Sequence, residues 1–257
     1  LPAAAGDLAM NILLDLSFDG SGFCGFQVQK NGRSVCEAVQ NALEAVLGER
    51  PDVKGCSRTD AGVHALHYAL SFCAAPAVSL EKLPLALNQN LPPAIRVNSA
   101  RQAPEGFHAR YAAHAKTYVY RIWNSPIDSP FEAGYYYRAP GALDVAAMQQ
   151  AADHFVGRHD FLSLCAANCE AAKRGSTVRT ITRCQVERAG ELVSITVTAD
   201  GYLYNMVRIL AGTLLRAGQH KLEPGAVPAL LEARDRAKAG PTLPAQGLFL
   251  KSVEYEI

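Results

Sequence analysis

Between residues 10 and 100 the chain alternates strand-like and helix-like stretches, and that alternation limits its possible folds more than any other feature. Residues 10–19 alternate apolar and polar side chains, as a strand with one buried face must. Asp19-Gly20-Ser21-Gly22 reads as a turn. Val35–Leu47 reads as a helix, with Ser34 at the N-cap and Glu37 at the capping-box position. Gly48 ends it. Residues 53–56 form a short strand leading into a loop over 57–64, and 67–73 supply the next strand. Residues 80–88 read as a short helix, which Leu91-Pro92-Pro93 must break. Residues 95–100 return to strand.

The resulting order, β–α–β–β–α–β, matches a ferredoxin-like unit. A hinge is expected over 107–113, and a strongly alternating strand over 116–123. Helices are expected over 145–156, 206–217 and 224–237, a hairpin over 178–188 and 192–200 around Ala189-Gly190, and a last strand over 248–256. Residues 165–177 read as an exposed, partly basic loop. Both halves are α+β in order, with no repeat visible between them. The expected division is a tail over residues 1–9, since Met10-Asn11-Ile12 looks like a natural start, then an N-terminal α+β domain over 10–105 and a C-terminal one over 106–257.

Composition narrows the class of protein. At 257 residues, 49% hydrophobic and 19% charged, the chain can bury a sizeable core and is not disordered. No apolar run reaches the roughly 18 residues a membrane span needs. The first nine residues lack the basic flank of a secretory signal. Seven cysteines, an odd number in a chain this long, argue against a disulfide framework; they are expected to be reduced, mostly buried, and in the cytoplasm. Cys165 and Cys169 are four apart, but no second pair completes a zinc site. A net charge of +1 neither demands nor excludes a nucleic-acid partner, because a local basic cleft matters more than the sum.

The chemistry concentrates in Ser57-Arg58-Thr59-Asp60-Ala61-Gly62-Val63-His64-Ala65. A short strand precedes it and an apolar segment follows, so a loop is presented on a rigid scaffold. An arginine close to an aspartate holds it ionised, and an ionised carboxylate in an enclosed site can act as nucleophile or base. Gly62 permits a backbone turn. The spacing alone fits equally a surface turn with an ordinary Arg58–Asp60 ion pair.

The same segment resembles the signature loop of the TruA family of tRNA pseudouridine synthases, Gly-Arg-Thr-Asp-x-Gly-Val-His-Ala. Other family motifs follow in the family's order. Phe18-Asp19-Gly20-Ser21-Gly22-Phe23-Cys24-Gly25-Phe26-Gln27-Val28-Gln29 is similar to its opening segment. Phe107-His108-Ala109-Arg110-Tyr111, with Lys116-Thr117-Tyr118-Val119-Tyr120, resembles its Phe-His-Ala-Arg-Phe and Lys-x-Tyr-x-Tyr pair. Gly157-Arg158-His159-Asp160-Phe161, Met206-Val207-Arg208 and the segment 240–248 resemble three more. The likeness runs from Met10 to Tyr255, with Ser57, Phe26, Cys36 and Ala94 standing where the family usually has Gly, Trp, Gln and Asp.

That resemblance implies an isomerase that converts uridine to pseudouridine at positions 38, 39 and 40 in the anticodon stem-loop of tRNA, without cofactor or metal. It implies two ferredoxin-like halves joined by a central, mostly antiparallel sheet with helices packed on it, an active-site cleft between the halves, and a homodimer. Residue by residue, it makes Asp60 the nucleophile. Arg58 is expected to pair with Asp60 and to fill the gap left by the extruded nucleotide. Tyr118 is expected to pack on the target base and to share in proton transfer. Arg208 is expected near the catalytic carboxylate. His64, Arg110 and Lys116 are expected substrate contacts.

Each has a plainer reading: Tyr118 and Tyr120 as core side chains, Arg208 as a structural ion pair, and Arg110, Lys116, Lys173, Arg174 and Arg179 as solvated charges. His64, His108 and His159 lack ligand spacing and read as loop-shaping or RNA-contacting residues. Three other functions fit parts of the sequence. One is a tRNA-binding or chaperone module without catalysis, which an Asp60→Ala variant would separate. Another is a related synthase acting on other RNA positions. The last is an RNA-recognition-type scaffold, which would need an aromatic run that is missing here.

Overall fold

A computed structural model describes residues 9–30, 32–76, 78–167 and 169–256. The expected tail over residues 1–9 lies, but for Ala9, outside the described residues. The chain forms two compact units that divide between His114 and Ala115, with the residues from Leu250 onward returning to the first. The expected boundary stood nine residues earlier, and the return was not foreseen.

The first unit opens with β1 (Met10–Phe18), α1 (Val35–Leu47), β2 (Lys54–Gly55), β3 (His64–Ala74), α2 (Leu83–Asn90) and β4 (Ile95–Gln102). β1 runs antiparallel to β3, from Met10 opposite Ala74 to Phe18 opposite Ala65, and antiparallel to β4 on its other side. β2 pairs with the far edge of β3, so the order β4–β1–β3–β2 is that of the expected ferredoxin-like unit. β1 is therefore central, and Ile12, Leu14 and Leu16 are fully buried. α1 is held at both ends: the Ser34 side chain accepts the Glu37 N–H at 3.1 Å, and Gly48 takes the left-handed conformation at its C-cap. It buries Val35, Val39, Ala42 and Leu43 and packs against α2. α2 starts at Leu83 rather than residue 80, because Pro84 fits only a helix's first turn.

The second unit starts within β5 (Ala113–Trp123), followed by β6 (Tyr137–Arg138), α3 (Val145–Asp153), β7 (Gly157–Asp160), α4 (Glu170–Lys173), β8 (Val178–Ala189), β9 (Leu192–Ala199), α5 (Met206–Gly218) and α6 (Val227–Glu232). Its strands run in the order β5–β9–β8–β7, all antiparallel, with β6 added parallel to β5. α5 is buried over most of its length and packs with α3, which lies against β8. The last strand, β10 (Leu248–Tyr255), stands beside β3 in the first unit through its residues from Leu250. Mixed helices and mostly antiparallel sheet confirm the α+β class.

Three expectations need correction. Residues 165–177 are an exposed loop only in part: among the described residues, Ala167, Glu170 and 173–176 are exposed, but Cys165, Cys169 and Thr177 are buried and 170–173 are helical. The apolar preference of the cysteines outweighed the polar composition around them. The helix expected over 145–156 stops at Asp153, where Phe155 and Val156 make tighter bonds to residues three back. The helix expected over 224–237 shrinks to α6, with Pro224 in a preceding 3-10 turn and Arg234 left-handed (φ 51°) beyond its end.

Candidate active site

The loop from Ser57 to Val63 is fastened along its length. At its start the Cys56 N–H donates to Ala69 O at 2.9 Å, and the Tyr68 hydroxyl donates to the Ser57 carbonyl. Tyr68 stacks on Phe26, ring centroids 4.4 Å apart. The Phe26 N–H donates to Thr59 O at 3.2 Å. This close approach requires Gly25, whose φ is +104° and where a Cβ would stand 2.5 Å from Thr59 O. The opening motif and the signature loop are therefore one packed structure, although about thirty residues separate them.

Asp60 begins a turn closed by the Val63 N–H donating to Asp60 O at 3.1 Å, with Gly62 at φ +80° in the position that demands a left-handed residue. The turn leaves Asp60 half-buried and Arg58 exposed. Thr59 is turned inward between them, and Arg58 lines an open cavity of about 420 Å³. Thr59 Oγ1 is buried without a hydrogen-bond partner among the described residues.

His64 sits at the start of β3, 1% exposed. Its Nδ1 accepts the Gly20 N–H at 3.1 Å and stands 3.1 Å from Asp19 Oδ1. A nitrogen that accepts a proton has none to offer the carboxylate, which assigns the ring proton to Nε2. Asp19 Oδ1 also takes the Ser21 N–H and hydroxyl, at 2.9 and 2.7 Å. His64 shapes the loop junction. Among the described residues no cluster of His, Cys, Asp or Glu is assembled as a metal site.

The same cavity holds a second expected contact, Arg110, and residues for which no role was foreseen: Lys54 and Tyr111. His108 completes its polar lining. Lys54 lies in a two-residue strand with no motif around it, so nothing marked it beforehand. Tyr111 was legible as the end of the Phe-His-Ala-Arg segment, yet its 77% exposure was not.

In the second unit, Tyr118 lies on β5 opposite Val197, 6% exposed, with its ring edge-to-face against Tyr202 at 5.0 Å. Tyr202 donates its hydroxyl to Lys116 O and Val197 O, both at 2.8 Å, which ties down the half-buried Lys116 backbone. Tyr120 is a core residue: it is fully buried and donates to Pro244 O at 2.7 Å. Burial pushes its hydroxyl far above the usual range, a shift the Arg208 guanidinium opposes. Arg208 donates from Nε to Leu243 O at 2.7 Å and from a terminal nitrogen to Asn205 Oδ1 at 2.9 Å. Asn205 is left-handed at the start of α5 (φ 60°) and spends its side chain on Arg208 instead of capping the helix. Asn205, Tyr202 and Leu243 are thus orienting groups that sequence reading missed.

Arg179 donates to Ser176 O and Val178 O, and Lys173 pairs with Glu170 at 2.8 Å. Both side chains are engaged locally, in keeping with the plainer reading. His159 Nε2 lies 3.1 Å from Val156 O.

Comparison with known proteins gives a consistent result. The family described as tRNA pseudouridine synthase matches residues 16–112 and 151–256. A protein named tRNA pseudouridine synthase A from Caldicellulosiruptor bescii is 42% identical over 245 residues, 95% of this chain and 99% of that one. One of the same name from Ruminiclostridium cellulolyticum is also 42% identical, with the same coverage. Another from Moorella thermoacetica is 43% identical over 249 residues, 94% of this chain and 98% of that one.

Proposed function

The chain belongs to the tRNA pseudouridine synthase family, and on that premise we propose that it isomerises uridine to pseudouridine at positions 38, 39 and 40 of tRNA, with Asp60 as the nucleophile. The reaction breaks the bond from the ribose C1′ to uracil N1, turns the base, and rejoins C1′ to carbon 5, which gives up its proton while N1 gains one. Nothing is added or removed overall, so no cofactor enters. What the protein must supply is an ionised carboxylate held still, aromatic surface for an extruded base, and cations for the backbone.

The observation that carries the reading is the Asp60 turn itself. It is braced by Gly25, Phe26 and Tyr68, it carries Arg58 on an open basic cavity, and it lies within the matched segment. Rigid presentation of a half-buried carboxylate is what nucleophilic attack at a sugar carbon requires. In this reading Arg58 fills the space left by the extruded nucleotide, Tyr118 stacks on the target base, Arg208, Arg110 and Lys116 serve substrate binding, and buried His64 serves it only by holding the loop. The enzyme acts as a cytoplasmic homodimer. Among the described residues no helix is long and apolar enough to cross a membrane.

The test is to incubate the protein with unmodified tRNA transcript and map pseudouridine, beside Asp60→Ala. Wild type is expected to modify the anticodon stem-loop, while Asp60→Ala loses at least about 10⁴-fold in rate and keeps tRNA affinity within about tenfold. A variant that modifies tRNA at the wild-type rate removes Asp60 from the chemistry.

A further inference from the structure

The cavity beside the signature loop has features that the isomerisation of one uridine leaves unused. Its lining includes Lys54, Arg58, His108, Arg110, Tyr111 and Phe26, and among the described residues no carboxylate lines it. Lys54 is paired with Asp52 outside the lining, but Asp52's side chain is 80% exposed and easily outcompeted by a phosphate. Tyr111 leaves a large aromatic surface in water, 77% exposed. Two neighbours hold that ring: the Arg110 guanidinium lies 5.8 Å from its centroid, and the His108 ring 4.4 Å away at 38°. The His108 Nδ1 accepts the Arg110 N–H at 3.1 Å, so the ring's proton sits on Nε2 as a fixed donor. Burial, reinforced by the Lys54 ammonium, keeps this imidazole below its usual range and neutral.

Exposed aromatic surface beside guanidinium groups suits a base that has left its helix, and the neighbouring cations suit its phosphate. A volume near 420 Å³ falls in the range of small-ligand sites. Ser57 and Arg58 belong both to this lining and to the loop that presents Asp60, so a nucleotide held here would be a close neighbour of the target. We propose that the cavity is a second nucleotide subsite: it takes one unpaired tRNA nucleotide near the target uridine, stacking the base on Tyr111 and holding the phosphate with Lys54 and Arg110. The assignment rests on the tRNA reading above and adds to it a site for a nucleotide that is not the one transformed.

The experiment measures tRNA transcript affinity across a salt series, using the full chain with Tyr111→Ala, Tyr111→Phe and Lys54→Gln, and Arg158→Gln on β7 of the second unit as an exposed control. Tyr111→Ala is expected to weaken binding about tenfold, the order of one lost base stack, while Tyr111→Phe stays within about twofold because the ring remains. Lys54→Gln is expected to lower the slope of log affinity against log salt by about one, and Arg158→Gln to leave Tyr111-dependent binding untouched. Because Tyr111 is exposed, its variants should melt with the wild type, which separates lost binding from lost folding. Wild-type affinity in Tyr111→Ala, equal losses in the Ala and Phe variants, or an unchanged slope in Lys54→Gln would each overturn the subsite. Pseudouridine mapping on the same samples keeps the two ideas apart. Wild type that forms pseudouridine while the variants bind normally sinks only the subsite. Subsite-dependent binding without product sinks only the catalytic reading. A wild type that binds no tRNA sinks both.

Discussion

Thr59 lies between Arg58 and Asp60, and its hydroxyl is buried with no partner among the described residues. A buried, unpaired hydroxyl costs roughly 1–3 kcal/mol relative to one left in water, whereas a methyl of the same shape costs nothing to bury. Thr59→Val is therefore expected to stabilise the fold by about 1 kcal/mol, raising Tm by about 2–4 °C. A lowered Tm in a calorimetric scan would mean that the hydroxyl is satisfied in solution and the argument is wrong. The residue scale also shows what sequence could reveal. Asp60, Gly62 and the turn were legible because residue types at fixed spacing dictate backbone geometry. The direction of Arg58 was not, because spacing says which side chains are near but not which way the chain turns between them. Thr59 turns inward between the two residues, and Arg58 lines the cavity beside the loop.

At the scale of elements, α1 was read to the residue because both ends carry their own signal: a serine oxygen for an orphan N–H and a left-handed glycine after the last turn. Ser34→Ala leaves the Glu37 N–H without its acceptor in a buried place, since Ser34 is only 1% exposed. The expected cost is about 1 kcal/mol, or about 2–4 °C in Tm. Ser34→Asp, which keeps an acceptor, should lose less; equal losses in both would point to packing and not capping. α6 had no such punctuation at its far end. It stops where Arg234 turns left-handed and places Nε 3.1 Å from Asp160 Oδ2 on β7, a contact from about seventy residues away that no local pattern encodes. β6 and β7 were missed for a related reason: with two and four residues they are too short to show a period, and pairing with β5 and β8 alone defines them.

For the whole molecule, each unit's α+β character was visible in the order of elements, whereas the return of the last strand to the first unit was not, because period reading sees only neighbours in sequence. The cysteines tie the fold to pH in a way that was only partly legible. All seven are free, and burial is the leading cause that raises three of them from an ordinary 9.0: Cys36 to about 11, Cys165 and Cys184 to about 12, while Cys169, hydrogen-bonded to Cys165, is lowered and offsets part of that pair's effect. Burial of the hydroxyls raises the half-buried Tyr202 and Tyr255 in the same direction. In the unfolded chain the three raised thiols lose their protons near pH 9, while the folded chain keeps them until about 11 or 12. Over that window the folded state binds more protons, so rising pH favours unfolding. Stability from these groups is complete below pH 9 and is lost as pH climbs towards the folded values, at no more than about 1.4 kcal/mol per pH unit for each fully buried thiol. Cys36, partly open to solvent, contributes less. Urea unfolding under reducing conditions should therefore give a level free energy up to about pH 9 and a steady decline above it, and Cys184→Ala should decline less steeply than wild type. A free energy that stays level to pH 11 would show that the native thiols titrate as freely as unfolded ones, and that the interior around β8 admits charge or water.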